Sequence, residues 1–170
     1  ASDIDFAIIA TPTFTHSSIA KSFIEAKIPL LIEKPVTRTV EEGLALLELA
    51  TKNDCKVVVG HIERYNPAVC TLMESISPEE KIINCSCLRV GPYPSRITDV
   101  GVSLDLAVHD VDLLRYIVGE KMLSHNAKKT FSTSKVNDDT SSFFLQFSKN
   151  ISATILASWM YPYRERKIRV

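Results

Sequence analysis

The chain has 170 residues, 45% of them hydrophobic and 24% charged, with 20 Lys and Arg against 20 Asp and Glu and a formal net charge of zero. Such a balance, with both signs interspersed, gives no electrostatic pull toward nucleic acid or an anionic membrane surface. No apolar run reaches the ~18 residues needed to span a bilayer, and the length suits one or two small globular domains with a real core.

The start, Ala1-Ser2-Asp3-Ile4-Asp5, is no signal peptide. Asp5 to Ala10 predicts a buried parallel strand, cut by Thr11-Pro12. Thr15 to Ala26 has a helical pattern, with Ile19, Phe23 and Ala26 on one face and Thr15 as N-cap. Pro29 to Ile32 is a second strand, stopped by Glu33-Lys34-Pro35. Thr39 to Asn53 is a second helix, with Thr39 and Glu42 as a capping box and Leu44, Leu47 and Ala50 as its stripe. Lys56 to Gly60 is a third strand. This alternation is half of a doubly wound parallel sheet.

After Gly60 the pattern changes. Asn66 to Ile76 is a helix, and Lys81 to Val90 is a long strand with Ile83, Cys85, Cys87 and Arg89 on one face. A turn-rich Gly91-Pro92-Tyr93-Pro94 follows, then a strong helix from Val102 to Val118 capped by Gly119. Met122–Phe131, Thr140–Phe147, Ile151–Trp159 and Glu165–Val170 are strands, with Lys149-Asn150 as a hairpin turn. Strands joined without intervening helices make an antiparallel sheet. The expected fold is therefore α/β plus α+β: a partial Rossmann-type domain over residues 1–63, then a substrate domain with an open, mostly antiparallel sheet over residues 64–170.

The four cysteines, Cys55, Cys70, Cys85 and Cys87, show no CxxC spacing. Cys85 and Cys87 stand on one face of a strand, about 6.5–7 Å apart along it, poorly placed to bridge. Reduced thiols in a cytoplasmic protein are expected, with no zinc site. Of the five glycines (43, 60, 91, 101 and 119), no two have the spacing of the GxGxxG phosphate-binding turn. The chain is expected to be the middle of a longer protein, since it lacks that turn and stops in mid-strand.

Three loops fall beyond the carboxyl ends of the parallel strands, where open α/β sheets bind ligands. They carry Thr11-Pro12-Thr13, Glu33-Lys34-Pro35 and Gly60-His61-Ile62-Glu63-Arg64-Tyr65-Asn66-Pro67. Each also fits a bland turn or a helix-capping linker. Farther on, Asp105, His109 and Asp112 recur at i, i+4 and i+7, within roughly a 60° arc that Tyr116 joins. A carboxylate one turn from a histidine can orient the ring as a general base; the same spacing also fits a solvated helix face.

Ala10-Thr11-Pro12 with His16, then Glu33-Lys34-Pro35, Gly60-His61, Arg64-Tyr65-Asn66-Pro67 and Asp105-x-x-x-His109-x-x-Asp112 occur in that order. Together they resemble the glucose–fructose oxidoreductase / inositol dehydrogenase (Gfo/Idh/MocA) family over essentially the whole chain. The stretch from Arg89 to Val102 looks most like its UDP-N-acetylglucosamine 3-dehydrogenase members. The resemblance implies an NAD(P)-dependent oxidoreductase acting on a secondary hydroxyl of a sugar or UDP-sugar, with NAD favoured over NADP. It implies Lys34, His109 and Asp105 as catalytic residues: Lys34 on the reacting hydroxyl and the nicotinamide side, His109 as proton acceptor, Asp105 on the substrate. It implies Thr11, Pro12, His16, Glu33 and Lys34 along the cofactor, and Arg64, Asn66, Asp105 and His109 around the substrate. Ala107 stands where the family usually has glycine. Relatives with such a sheet associate through its exposed face, so a homo-oligomer is expected. Two other readings fit the same residues: a non-catalytic binding or scaffold protein that holds no dinucleotide, and a lyase or epimerase using His109 as base.

Overall fold

In the computed structural model of the protein the described residues are 4–77, 79–95, 97 and 99–170. Residues 1–3 of the expected non-signal start lie outside them, as do Pro78 and, in the stretch of narrower resemblance, Arg96 and Thr98. The chain forms two compact units, Ala1–His61 and Ile62–Val170. Among the described residues no helix is long and apolar enough to cross a membrane.

The first unit is a parallel sheet in the order β1-β2-β3, from β1 (Ala7–Ile9), β2 (Leu30–Glu33) and β3 (Val57–Gly60). Helices α1 (Thr13–Glu25) and α2 (Val40–Asn53) connect them, and Ile9, Leu30 and Ile32 pack with Ala20, Ile24, Leu46 and Ala50. The strands are buried on one face only. Within this chain Ile8 is 66% exposed, and Phe6 and Val58 are exposed too.

The helix details also differ from the sequence expectation. Pro12 caps α1 with φ −57°, three residues before the expected cap Thr15. Thr15 lies inside the helix, where its hydroxyl donates to the Pro12 carbonyl at 2.8 Å. The buried face of α1 is His16, Ala20 and Ile24, and Ala26 is exposed. Thr39 caps α2 as expected, accepting from the Glu42 amide at 3.2 Å. The Glu42 carboxylate accepts from the Arg38 amide. On α2 the inward residues are Leu46 and Ala50, whereas Leu44 and Leu47 are exposed. With several leucines in one helix, periodicity does not identify which of them meets the sheet.

The second unit is a five-stranded sheet in the order β5-β6-β7-β4-β8: β4 (Asn84–Pro92), β5 (Met122–Thr130), β6 (Thr140–Phe147), β7 (Ile151–Ser158) and β8 (Met160–Arg169). The β4–β7 pair is parallel and the others antiparallel. The expected turn at Gly91-Pro92 is part of β4, and β8 begins at Met160, five residues before the expected strand. Lys149 and Asn150 both have positive φ, 57° and 62°, which suits a tight hairpin between twisted strands. Cys85, Cys87, Leu145, Phe147 and Ile155 point inward onto Ala107, Leu114 and Val118. All four cysteines are free thiols, and burial pushes the Cys87 thiol up to about 12.

Helix α4 (Val108–Val118) is the centre of this unit, with α3 (Pro67–Ser75) against it through Val69, Leu113 and Ile117. Its expected first turns are instead a π-helical segment, Ser103–Ala107. That start is anchored. The Val102 amide donates to the Asp138 carbonyl at 2.8 Å, and the Ser103 amide and hydroxyl donate to Asp138 Oδ2 at 3.0 and 2.6 Å. Ser141 donates to the same oxygen.

Two predictions follow from this anchor. A Cβ at Gly101 would lie 2.7 Å from the Asp138 backbone nitrogen and closer still to its carboxylate. Gly101→Ala should therefore lower stability by about 1–3 kcal/mol, read as a shift in the urea midpoint. Burial works to raise the Asp138 carboxyl, but the Ser103 and Ser141 hydrogen bonds and the Lys129 charge outweigh it and hold it below its usual value. Its stabilisation is then complete above the unfolded value of about 3.9 and fades as pH falls through the lower folded value. The deficit of Asp138→Asn should be largest near neutrality and narrow below about pH 4; a deficit independent of pH would contradict this.

Candidate active site

In the first unit the carboxyl edge of the sheet gathers most of the predicted cofactor residues. Lys34 directly follows β2 and joins Pro35 by a cis peptide bond. Glu33 pairs with Gly60 across β2 and β3, and a Cβ on Gly60 would meet the Glu33 carboxylate at 3.1 Å. The missing side chain at Gly60 is what lets that carboxylate lie over β3. Glu33 Oε2 also accepts from the Lys34 amide at 3.3 Å.

His16 is buried beneath this edge, 1% exposed. Its Nε2 lies 2.8 Å from the Thr11 carbonyl and its Nδ1 3.0 Å from the Pro35 carbonyl. One imidazole thus joins the loop after β1 to the loop after β2. Both of its polar atoms face protein, so His16 holds the loops rather than presenting a nitrogen outward. The Thr11 hydroxyl is 2.7 Å from that of Thr15, at an exposed position beside the Pro12 cap.

In the second unit Asp105 lies in the π-helical segment and is partly exposed. His109, in the first turn of α4, is buried and its Nδ1 is enclosed. The even 100° step behind the expected arc fails between them, because a π turn is wider than an α turn; such insertions recur at functional sites. Farther along the arc the expectation holds. Arg64 donates from Nε and a terminal nitrogen to both oxygens of Asp112, at 2.8 and 2.6 Å. Its guanidinium carbon sits 5.1 Å from the centre of the Tyr116 ring, so Asp112 and Tyr116 share one face. The Asp112 hydrogen bond raises the Arg64 guanidinium above its usual value.

Arg64 and Asn66 follow β3 on and after a 3₁₀ turn, Ile62–Tyr65. Asn66 caps α3 by accepting from the Ala68 amide at 3.0 Å, and its side-chain nitrogen donates to Glu63 at 3.2 Å. Both side chains are thus engaged within the protein.

One group of functional weight was not singled out from the sequence. Arg89 is enclosed in the inward face of β4 and donates to both oxygens of Asp110 at 2.8–3.0 Å and to Glu63 at 3.0 Å. Burial works to raise the Glu63 carboxyl, but the Arg89 charge and the Arg89 and Asn66 hydrogen bonds outweigh it and hold it low. For Asp110 burial prevails over Arg89, and its carboxyl is raised. The signal was present: Arg89 shares the strand phase of Cys85 and Cys87, and a buried guanidinium requires carboxylate partners.

The chain matches a family model described as an oxidoreductase family with an NAD-binding Rossmann fold over residues 1–61. It matches a GFO/IDH/MocA C-terminal domain over residues 82–170. It is 28% identical over 170 residues to a UDP-N-acetylglucosamine 3-dehydrogenase of Acidithiobacillus ferrooxidans, covering 99% of this chain and 53% of the relative. To an inositol 2-dehydrogenase of Rhizobium meliloti it is 26% identical over 149 residues, 84% of this chain and 45% of that one. A crystal structure of the Acidithiobacillus enzyme superposes with a TM-score of 0.87 at 27% identity, over 99% of this chain and 55% of that one. A putative myo-inositol dehydrogenase from Sinorhizobium meliloti gives 0.87 at 26%, again over 99% and 55%. The chain spans about half the length of the curated relatives it matches.

Since Asp110 and Arg89 side chains are 2% and 6% exposed, removing one partner leaves a buried charge alone. Asp110→Ala should cost about 3–5 kcal/mol, measured by urea unfolding. The double replacement Asp110→Leu with Arg89→Met should recover most of that loss.

Proposed function

The chain belongs to the Gfo/Idh/MocA oxidoreductase family, and from that premise we propose that it is part of an NAD-dependent dehydrogenase that oxidises a secondary hydroxyl of a sugar or nucleotide-sugar. The observation that carries this reading is Lys34, set at the carboxyl end of the middle parallel strand, where such sheets take their ligands. The finer choice of the 3-hydroxyl of UDP-N-acetylglucosamine is supported by the similarity to the Acidithiobacillus enzyme along nearly the whole chain.

The residues present suit a dinucleotide. The Thr11 hydroxyl, Pro12 and Lys34 lie on loops at one sheet edge, Glu33 is the last residue of β2 beside them, and the bare Gly60 leaves the Glu33 carboxylate room there. We assign the cofactor contacts to these four residues, with His16 as the tie behind them. When bound, the cofactor supplies the hydride acceptor.

The chain's own residues supply the rest. Alcohol oxidation releases a proton from the hydroxyl as the hydride leaves carbon, and His109 takes that proton. With Nδ1 enclosed, Nε2 is the nitrogen that does so. Asp105 orients the hydroxyl-bearing ring by accepting its hydrogen bonds. The Lys34 ammonium stabilises the developing alkoxide, an electrostatic effect that strengthens where water is excluded. Arg64 and Asn66 shape the substrate side through Asp112 and the α3 cap. Phe144 and Leu156, on the face of the five-stranded sheet opposite its core, support association of two or more copies there.

The test is formation of reduced nicotinamide by the full-length protein given NAD or NADP with UDP-N-acetylglucosamine or an inositol. His109→Ala should lower kcat by about 10²–10⁴-fold and Lys34→Ala by about 10²–10³-fold, with smaller changes in KM. Wild-type turnover in either variant would overturn the assignment of that residue.

A further inference from the structure

A small cavity of about 140 Å³ opens beside Asp105, between β4, β8 and the π-helical segment. Whole-ligand sites usually occupy ~300–1,000 Å³, so this one has room for a single group of a larger molecule. Pro92, Ile97 and Trp159 form apolar walls. Three arginines are among its lining residues, Arg89, Arg164 and Arg166.

The three differ in what already neutralises them. Arg89 is held by Asp110 and Glu63, and Arg166 lies 3.5 Å from Glu63. No carboxylate among the described residues lies within ion-pair distance of Arg164. The backbone is also adapted to Arg164. The β4–β8 register shifts between Val90 and Pro92, and such irregularities re-aim side chains next to binding sites. Gly91 lies in that shift, and a Cβ there would meet Arg164 Cγ at 3.2 Å. The stem of Arg164, an exposed residue that also lines the cavity, thus passes closely over a residue with no side chain.

We propose that Arg164 is a substrate anchor: it binds an anionic substituent of the substrate in this cavity while Asp105 binds a hydroxyl of the same molecule. The inference rests on the reading of Asp105 as a substrate ligand. It narrows the substrate to a polyol carrying a phosphate or a carboxylate, the oxyanions that an exposed guanidinium without a carboxylate partner is suited to bind. A planar guanidinium forks onto either oxyanion with two hydrogen bonds.

The experiment is calorimetric titration of the full-length protein, wild type, Arg164→Ala and Arg164→Lys, with UDP-N-acetylglucosamine as the phosphate-bearing probe and glucuronate as the carboxylate-bearing one. The probe that binds wild type identifies the source of the anion. Its affinity should fall about tenfold to a hundredfold in Arg164→Ala, with part regained in Arg164→Lys. Affinity within twofold of wild type in Arg164→Ala, or binding of neither probe to wild type, would overturn the proposal. Because the readout is binding, a failure of the dehydrogenase reading would appear separately, as probe binding without cofactor reduction.

Discussion

The second unit is organised around one buried cation. Arg89 projects from the inward face of β4 among cysteines and aliphatic side chains, where an unpaired guanidinium could not remain. Its partners come from two other elements: Asp110 from the first turn of α4, and Glu63 from the 3₁₀ turn after β3. Satisfying Arg89 therefore fixes how α4 is rotated against the sheet and where the 3₁₀ turn lies. A hydrophobic contact would tolerate a slip of an ångström or so; a fork of hydrogen bonds at 2.8–3.0 Å does not.

His109 inherits its position from that restraint, since it is the immediate neighbour of Asp110. With Asp110 turned to Arg89, the next residue back along the helix faces about 100° away, and His109 is carried there. Two further ties hold the same helix. Arg64 grips Asp112 near its middle, and Asp138 grips the segment before it through Ser103. The π-helical segment lies between the Asp138 anchor and the Asp110 fork, two fixed points that together set the spacing of Asp105 from His109. An aspartate and a histidine whose relative placement is decided by packing at both ends are preorganised, as a pair proposed to share one substrate requires.

The elements were largely legible in the sequence, because strand and helix periodicities are local. Thr39 as a cap, Gly119 at the end of α4 and the Lys149-Asn150 hairpin are decided by a few adjacent residues, and the structure keeps them. What was not legible depends on partners far along the chain. Leu44, Leu46, Leu47 and Leu49 of α2 are chemically equivalent, and only the sheet beneath selects Leu46. The π turn is invisible to a fixed 100° step, since it reflects the ties at its two ends. Within the site, Lys34, Asp105 and His109 stand out by motif, whereas Arg89 announces itself only as a charge in the buried phase of a strand, and its partner Asp110 in α4 carries no mark of its own.

The first unit solves a similar problem with hydrogen bonds to backbone. Its catalytic candidate sits on a loop, and loops are the mobile part of a parallel sheet. His16 works against that mobility. Rooted in the buried face of α1, it reaches the carbonyls of both Thr11 and Pro35, so the loop after Lys34 is fastened to the loop after β1 through a helix packed in the core. Displacing Lys34 then requires breaking contacts in a core helix as well as bending a loop. The two units thus follow one rule: a candidate site residue is set beside a buried polar group that is held within the protein. Lys34 has His16, and His109 has Asp110. Stability and the placement of the candidate site are joined at those second residues, because burying a polar atom is tolerable only when its partners are fixed, and fixing them also fixes the neighbouring candidate.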